Sequence, residues 1–269
     1  MIIFLFFLVW IGTFTHLTFL SGLSYLFAFL WFFVGLAAGY VAVFLTMILT
    51  VPFVIYAKPT NRLKHFYLRH LCDFLRLFII KLKIDKVIGF ENIPKDSAYG
   101  IYANHRSGAD ALIMLSLTRK RIGMLAKDSL FINKFVTRWL NGFGILSLDR
   151  DNARNALKEI NRGSKLMSEG LPMAVFPEGT RKKKDFHNLD TFKPGAFKLT
   201  TKAKLPILPV ALIGSEDYHK RYLRRTTNVK VIIGKPIEYD DYKDLKAQEL
   251  SDKVAGKIMK MLKEHETIH

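Results

Sequence analysis

The stretch YGIYANHRSGADALIML, residues 99–115, decides how this chain is organised. It starts as a short apolar run, crosses a turn of small and polar residues, and continues with apolar residues at helical spacing. His105 and Asp110 stand on either side of the turn, so one strand-to-helix bend can bring them face to face. An imidazole held by a carboxylate through one ring nitrogen becomes a better proton acceptor at the other. The spacing indicates a catalytic pair; the alternative is a histidine capping a turn beside an aspartate that begins a helix.

The rest of the sequence narrows the chemistry that such a pair could perform. No serine stands in a Gly-x-Ser-x-Gly elbow, and the single cysteine, Cys72, lies far upstream. This favours a base that activates the hydroxyl of a substrate over a covalent enzyme intermediate. A zinc hydrolase is less well supported, because there is no His-Glu-x-x-His pair and a third ligand would have to come from His187. We expect no metal and no bound cofactor.

From residue 86 onward, short apolar or β-branched runs alternate with helical patterns. This alternation is typical of an α/β fold and predicts a largely parallel central sheet with helices on both faces. The expected strands are 87–90, 99–103, 123–126, 144–148, 173–176, 207–213 and 229–233, and the expected helices are 110–117, 129–140, 153–168, 195–203 and 242–264. Ligands of open sheets bind outside the carboxyl ends of the strands. His105, Lys127, Arg150 and residues 178–181 each follow a predicted strand, so we expect them around one cleft.

Residues 1–57 contain no Asp, Glu, Lys or Arg, although the 269-residue chain carries a formal net charge of +18. Because about 20 apolar residues cross a bilayer as a helix, residues 1–20 and 23–56 are predicted membrane segments joined by a turn at Ser21-Gly22. The run is too long for the core of a signal peptide. Basic residues follow at once from Lys58, so the positive-inside rule places the downstream domain on the cytoplasmic side of the cell membrane. A crossing, a shallow hairpin and a flat arrangement all stay open.

Residues 61–84 combine apolar side chains at helical spacing with a basic surface. Such a helix fits an anionic lipid interface, and a helix packed on the domain with a solvated basic edge fits the pattern equally well. The expected organisation has three parts: membrane-embedded segments in residues 1–57, a basic interfacial helix in residues 58–85, and one catalytic domain in residues 86–269.

Three further stretches accompany the turn at residues 103–110: GILSLDR at 144–150, VFPEGTR at 175–181 and LPILPV at 205–210. In order and separation, the four stretches resemble the motifs of the glycerolipid acyltransferase family, which includes the PlsC-type 1-acylglycerol-3-phosphate acyltransferases. The resemblance covers about residues 85–240. The matched residues are Asn104, His105, Ser107, Asp110, Gly144, Arg150 and the run from Phe176 to Arg181.

The resemblance implies roles for individual residues. His105 is the implied general base and Asp110 its orienting partner when an acceptor hydroxyl attacks an acyl thioester. Arg150 and Arg181 offer forked donors for a phosphate and Lys127 a point charge; surface ion pairs are the alternative explanation. The implied substrate-binding residues are Asn104, Ser107, Lys127, Arg150, Glu178, Gly179, Thr180 and Arg181.

Finer roles are expected for some of these residues. Asn104 and Ser107 are candidate hydrogen-bond donors around the reacting oxygen. Glu178 is expected to position the acceptor, and Gly179 to permit close backbone approach. The lysine run 182–184 is expected to steer an anionic lipid or carrier.

The implied function is transfer of a fatty acyl group from acyl-CoA or acyl-carrier protein to lysophosphatidate, which gives phosphatidate. Acylation of another lysophospholipid or of glycerol 3-phosphate is the second candidate. The net charge of +18 could also signify nucleic-acid binding. However, the basic residues follow a membrane anchor and no nucleic-acid module is recognisable, so we expect anionic membrane lipids and no nucleic acid as partners. A catalytically silent lipid-binding scaffold is disfavoured by the intact motifs.

Overall fold

The computed structural model describes residues 1–22, 25–118, 121–149, 152–179, 189, 191–219 and 226–266. Some predicted features lie outside these residues: Arg150, Thr180, Arg181, the lysine run 182–184 and His187. The other predicted site residues lie within them.

The N-terminal part is a pair of long apolar helices, α1 (Ile2–Leu20) and α2 (Tyr25–Leu49), and the short α3 (Val51–Tyr56) extends the second one. We call α1 and α2 the hairpin. Ile2–Leu20 and Phe27–Tyr56 are long and apolar enough to cross a membrane, and only 11% and 17% of their most apolar stretches are buried. A core helix of a soluble protein would be mostly buried, so this exposure favours lipid surroundings for the hairpin.

Two glycines on α2 allow the hairpin helices to approach closely. A β-carbon on Gly35 would lie 2.6 Å from the Trp10 carbonyl oxygen, and one on Gly39 would lie 2.9 Å from the Phe6 ring. The Phe6 ring also meets Tyr40, with ring centroids 5.0 Å apart. Small residues four positions apart are a common device of apolar helix pairs, because they bring the two backbones together.

Helix α4 (Arg62–Phe74) ties the hairpin to the rest of the protein. It begins at Asn61, whose side chain accepts hydrogen bonds from two backbone N–H groups of the first turn. The buried Lys64 ammonium donates to the carbonyl oxygens of Val54 at 2.7 Å and Ala57 at 2.6 Å. These contacts satisfy carbonyls that the end of α3 leaves free.

The helix predicted over residues 61–84 ends earlier than expected. Regular α4 stops at Phe74, one π-helical turn covers Leu75–Ile79, and strand β1 (Leu82–Ile88) follows. Lys81 adopts a left-handed φ of 53°, which ends the helical path. The chain then pairs with β7 (Thr227–Ile233), a partner that lies far away in the sequence and leaves no local signal.

The central sheet confirms the predicted α/β class. In the described part of the chain, seven strands lie in the order β1-β7-β6-β2-β5-β3-β4, and every neighbouring pair is parallel except β6 with β7. The five strands not yet placed are β2 (Gly100–Ala103), β3 (Gly123–Lys127), β4 (Ile145–Leu148), β5 (Met173–Val175) and β6 (Ile207–Ile213).

Helices cover both faces of the sheet, as predicted. Alternate residues of β2 serve two separate apolar clusters, because Ile101 and Ala103 join one cluster and Tyr102 the other. The first cluster includes α4 and the hairpin, and the second includes residues of the C-terminal helix. The remaining helices are α5 (Asp110–Ser116), α6 (Lys134–Gly142), α7 (Ala153–Ser168), α8 (Lys198–Ala203) and α9 (Ala247–Glu266).

Strands β2 to β6 all end at one edge of the sheet, which we call the carboxyl edge. Helix α4 starts at the opposite, amino edge, where Arg121 Nη1 donates to the Thr60 carbonyl oxygen just before β3 begins. It runs toward the carboxyl edge, where Arg76 Nη1 donates to the Leu82 carbonyl oxygen at the start of β1.

The hairpin projects beyond the carboxyl edge. Near that edge the Phe74 ring meets Phe6 at 5.3 Å and Tyr40 at 5.9 Å, whereas the chain reaches the amino edge at Val54, beside Gly142. The part of α2 before Tyr40 therefore extends about 20 Å past the carboxyl edge at 1.5 Å per helical residue.

Candidate active site

The Asp110 carboxylate organises the turn between β2 and α5. Its side chain is fully buried, and Oδ2 accepts hydrogen bonds from His105 Nδ1 at 2.9 Å and from the backbone N–H groups of Arg106 at 2.7 Å and Ser107 at 2.8 Å. Oδ1 accepts a hydrogen bond from the Ser107 hydroxyl at 3.2 Å. An ionised carboxylate only accepts, so the proton of a neutral imidazole sits on Nδ1. This leaves His105 Nε2 with the lone pair of a base.

His105 is also held by the turn that follows β5. Its ring stacks on Phe176, with centroids 4.2 Å apart and 17° between the ring planes. Its backbone N–H donates to Glu178 Oε1 at 2.8 Å, and Glu178 is 4% exposed. Gly179 closes the turn at a φ of 77°, a left-handed conformation that favours glycine. Since 15% of the His105 side chain stays exposed, the imidazole is both oriented and accessible.

Side chains from the turn between β2 and α5 also bind β6 and the segment after it. The fully buried Asn104 amide donates to the Leu212 carbonyl oxygen at 2.9 Å, and its Oδ1 accepts from the Leu212 N–H at 2.7 Å. Arg106 is 5% exposed and pairs with Glu216 through Nη1 and Oε1 at 3.0 Å. Asn104 and Ser107 were expected to donate hydrogen bonds around the reacting oxygen; in the structure their side chains hold the turn.

An apolar groove of about 290 Å³ lies beside the His105–Asp110 pair, with Phe176 in its wall. Lys193 and Lys198 also line the groove, and the Lys193 side chain lies against Gly179, where a β-carbon would come within 3.1 Å of Cε. The other walls include Leu125, Leu148, Leu157, Ile160 and Val175. Apolar walls combined with ammonium groups fit a long apolar chain attached to an anionic group.

A larger cleft of about 650 Å³ opens elsewhere, at the amino edge, and is lined in part by Arg62, Lys95 and Arg121. The strands separate it from His105, so its size does not make it the reaction site. In the residues that the structure describes, no group of three or more His, Cys, Asp or Glu side chains could hold a metal ion.

The structure brings most of the described candidate residues together. Asn104, His105, Ser107, Asp110, Glu178 and Gly179 meet at the two turns described above. Lys127 is exposed at the end of β3, on the same edge. Arg150, Thr180 and Arg181 lie outside the described residues.

Two contributors were missed by sequence reasoning: Arg106 and Glu216. Phe176 stands within a recognised motif, so its position was signalled although its contact with His105 was not. Arg106 and Glu216 are 110 residues apart, and no local pattern connects them.

The acyltransferase family model matches residues 85–213 of this chain. One relative, the chloroplast 1-acyl-sn-glycerol-3-phosphate acyltransferase LPAT1 of Arabidopsis thaliana, is 29% identical over 225 residues, which are 81% of this chain. The chain spans only 61% of the length of that relative. The 1-acyl-sn-glycerol-3-phosphate acyltransferase of Bacillus subtilis is 29% identical over 182 residues, covering 67% of this chain and 87% of that protein.

The fold is also similar to a solved structure, the crystal structure of the 1-acyl-sn-glycerophosphate (LPA) acyltransferase PlsC from Thermotoga maritima. The TM-score is 0.63 at 25% sequence identity, over 81% of this chain and 88% of that one. The likeness therefore extends well beyond the segment that the family model matches.

Proposed function

We propose that this chain, which is similar to 1-acyl-sn-glycerol-3-phosphate acyltransferases, transfers a fatty acyl group from an acyl thioester to the free hydroxyl of lysophosphatidate, giving phosphatidate. The observation that carries the proposal is the His105–Asp110 pair, with Nδ1 and Oδ2 at 2.9 Å, beside an apolar groove that shares Phe176 with it. The pair supplies a base, and the groove suits the acyl chain.

The reaction follows from the orientation of His105. Nε2 takes the proton of the acceptor hydroxyl as its oxygen attacks the thioester carbonyl carbon, and a tetrahedral oxyanion forms. The C–S bond then breaks, and the departing thiolate takes the proton from the imidazolium. Asp110 stabilises the imidazolium between these steps, while the base itself contributes on the order of 10²–10⁴ in rate. No acyl-enzyme is required.

The cations around the site suit two anionic substrates. We assign the acceptor phosphate to Arg150 and Arg181, which stand just after β4 and after the β5 turn in the sequence, with Lys127 as a further charge. Lys193 and Lys198 line the groove and suit the phosphates of acyl-CoA or the acidic surface of acyl-carrier protein. Glu178 supports His105 by accepting the hydrogen bond of its backbone N–H.

The membrane location belongs to the same proposal. Residues 1–57 are assigned to the membrane, residues 58–85 to its interface and residues 86–269 to catalysis on the cytoplasmic side of the cell membrane. The low burial of both apolar helices and the start of the family match at residue 85 support this division. Anionic lipids would then attract the basic surface.

The test uses the purified full-length protein in mixed micelles with an acyl-CoA and lysophosphatidate. We expect thiol release matched by phosphatidate in lipid mass spectrometry, and loss of both in His105→Gln. His70→Gln, on the partly buried side of α4, is the matched control and should stay active. Glycerol 3-phosphate and lysophosphatidylethanolamine are tested in parallel. If either were acylated faster than lysophosphatidate, that compound would be assigned as the acceptor instead. Near-normal turnover by His105→Gln would overturn the mechanism.

A further inference from the structure

The segment that joins β3 to α6, together with the first turn of α6, exposes three large apolar side chains. Leu130 is 53% exposed, Ile132 76% and Phe135 55%. Single exposed apolar residues are ordinary on protein surfaces, but these three stand close together in one short segment. We call residues 128–135 the apolar turn.

The backbone of the apolar turn is fixed by its own hydrogen bonds. The Phe131 N–H donates to the Asp128 carbonyl oxygen at 2.8 Å, and the Phe131 side chain packs against the core. Asn133 begins α6, because its side chain accepts from the Val136 N–H at 2.9 Å and its carbonyl oxygen accepts from the Thr137 hydroxyl at 2.8 Å. A segment held in this way loses little conformational freedom when its exposed side chains become buried.

The position of the apolar turn suggests what buries its three exposed apolar side chains. It follows β3 at the carboxyl edge, the edge where His105 lies and beyond which the hairpin projects. Helix α6 runs from the turn back to the amino edge, where Gly142 packs against Val54 of α3. The apolar turn therefore lies at the same edge of the sheet as the one beyond which the hairpin projects.

The charge around the apolar turn selects the kind of partner. Lys127, Lys134 and Arg138 are exposed, whereas Asp128 is the single acid in residues 127–138. Apolar tips flanked by cations are typical of elements that enter the interface of an anionic bilayer. A protein interface is a poorer fit, because lysine is depleted from such surfaces.

We propose that the apolar turn is a second membrane contact, which inserts Leu130, Ile132 and Phe135 into the anionic bilayer that holds the hairpin. The inference rests on the membrane location in the proposed function. A hairpin alone would let the domain pivot about one attachment. Two contacts keep the carboxyl edge, and His105 with it, against the surface from which a lysophospholipid must enter.

The test places a fluorescent probe on single introduced cysteines of the full-length protein. Native Cys72 does not interfere, because it is buried and burial raises its pKa to about 12. Ile132→Cys reports on the apolar turn, and Phe19→Cys, near the exposed tip of the hairpin, is the positive control. Leu245→Cys is the negative control, because Leu245 is apolar and 36% exposed but lies near the amino edge, where its N–H donates to Tyr242 and the Tyr242 hydroxyl donates to Leu205 just before β6.

Each labelled protein is reconstituted in vesicles of phosphatidylethanolamine with one quarter phosphatidylglycerol, with and without spin-labelled lipid. We expect the probe at position 132 to shift to the blue and to lose emission most strongly with the spin label near the headgroup, as for a side chain roughly 5–10 Å deep. The probe at position 245 should keep its emission in water.

Three outcomes would overturn the inference. The probe at position 132 could behave like the one at 245 while the one at 19 is quenched. It could leave water without quenching by lipid, which would indicate contact with protein, such as a second copy of the chain. The probe at position 19 could itself remain in water, which would show that the hairpin does not enter the bilayer, as the inference requires.

A kinetic comparison adds a functional readout. Ile132→Asp should raise the apparent KM for vesicle-embedded lysophosphatidate by up to roughly tenfold, in line with lost burial of one large aliphatic side chain. It should leave the KM for a short-chain, water-soluble acceptor unchanged, and Leu245→Asp should change neither. Equal effects on both acceptors would contradict a membrane role. If no acceptor is acylated at all, the proposed function fails, and the quenching result still decides the contact.

Discussion

Replacing Asp110 with asparagine should separate the charge of this residue from its hydrogen bonds. In the structure one oxygen, Oδ2, accepts from His105 Nδ1 at 2.9 Å and from the N–H groups of Arg106 and Ser107 at 2.7 and 2.8 Å. An asparagine that places its carbonyl oxygen there keeps all three bonds. Its amide group then faces the Ser107 hydroxyl, which can rotate to accept instead of donating. Asp110→Asn should therefore keep the turn and the Nδ1–H tautomer.

The loss of the carboxylate charge should lower the rate of the reaction. Once His105 has taken the proton from the acceptor, the imidazolium no longer has a carboxylate beside it. At an effective dielectric constant of about 20, two unit charges 4 Å apart attract by about 4 kcal/mol. Each 1.36 kcal/mol of barrier is tenfold in rate, so kcat should fall roughly 10²- to 10³-fold. The KM for the acceptor should change little, since Asp110 is fully buried behind the imidazole.

Asp110→Ala provides the contrast. It leaves the buried N–H groups of Arg106 and Ser107 without their acceptor, at a cost of about 1–3 kcal/mol each. Only the alanine variant should therefore lose substantial thermal stability in detergent micelles. Asp85→Asn, on the exposed part of β1, is the matched control and should change neither quantity.

The assay measures thiol release against acceptor concentration, so that kcat and KM are obtained separately, together with thermal unfolding of each variant. A stable Asp110→Asn protein with near-normal kcat would refute stabilisation of the imidazolium. Equal loss of stability in both variants would mean that the turn depends on the charge itself.

Three further predictions concern other parts of the molecule. Arg150→Ala and Arg181→Ala should each lower kcat/KM for lysophosphatidate roughly ten- to hundredfold through loss of a charge-assisted contact, and lysine should rescue only partly; equal damage with an acceptor that lacks the phosphate would contradict this. Arg106→Ala should destabilise the fold by roughly 3 kcal/mol by leaving the partly buried Glu216 carboxylate without this charged partner, and exchanging the two residues should restore part of the loss, as thermal unfolding can check. Burial lowers the pKa of His65 to about 4, so the unfolded state binds more protons between pH 4 and 6.5, and acidification from pH 7 to 5 should reduce stability by about 2 kcal/mol. A variant His65→Gln with the same pH dependence would refute the last assignment.

The sequence by itself determined the features that depend on neighbouring residues. Apolar runs and turns predicted the strands around the site, and the uncharged first 57 residues predicted the apolar helices. The pairing of His105 with Asp110 was predictable for the same reason, because five residues across one turn are brought together by local backbone geometry. Local patterns also misplaced the end of α4, since the chain after Phe74 leaves the helix to pair with a distant strand.

Tertiary structure alone decided which distant groups support the turn between β2 and α5. Glu178 reaches the His105 amide from 73 residues away, Asn104 reaches Leu212 across 108, and Arg106 reaches Glu216 across 110. None of these pairs has a spacing that a sequence pattern could reveal, because each depends on β2 lying between β5 and β6. The order of strands is set by the joint burial of all of them, so it belongs to the folded molecule and to no single stretch of the chain.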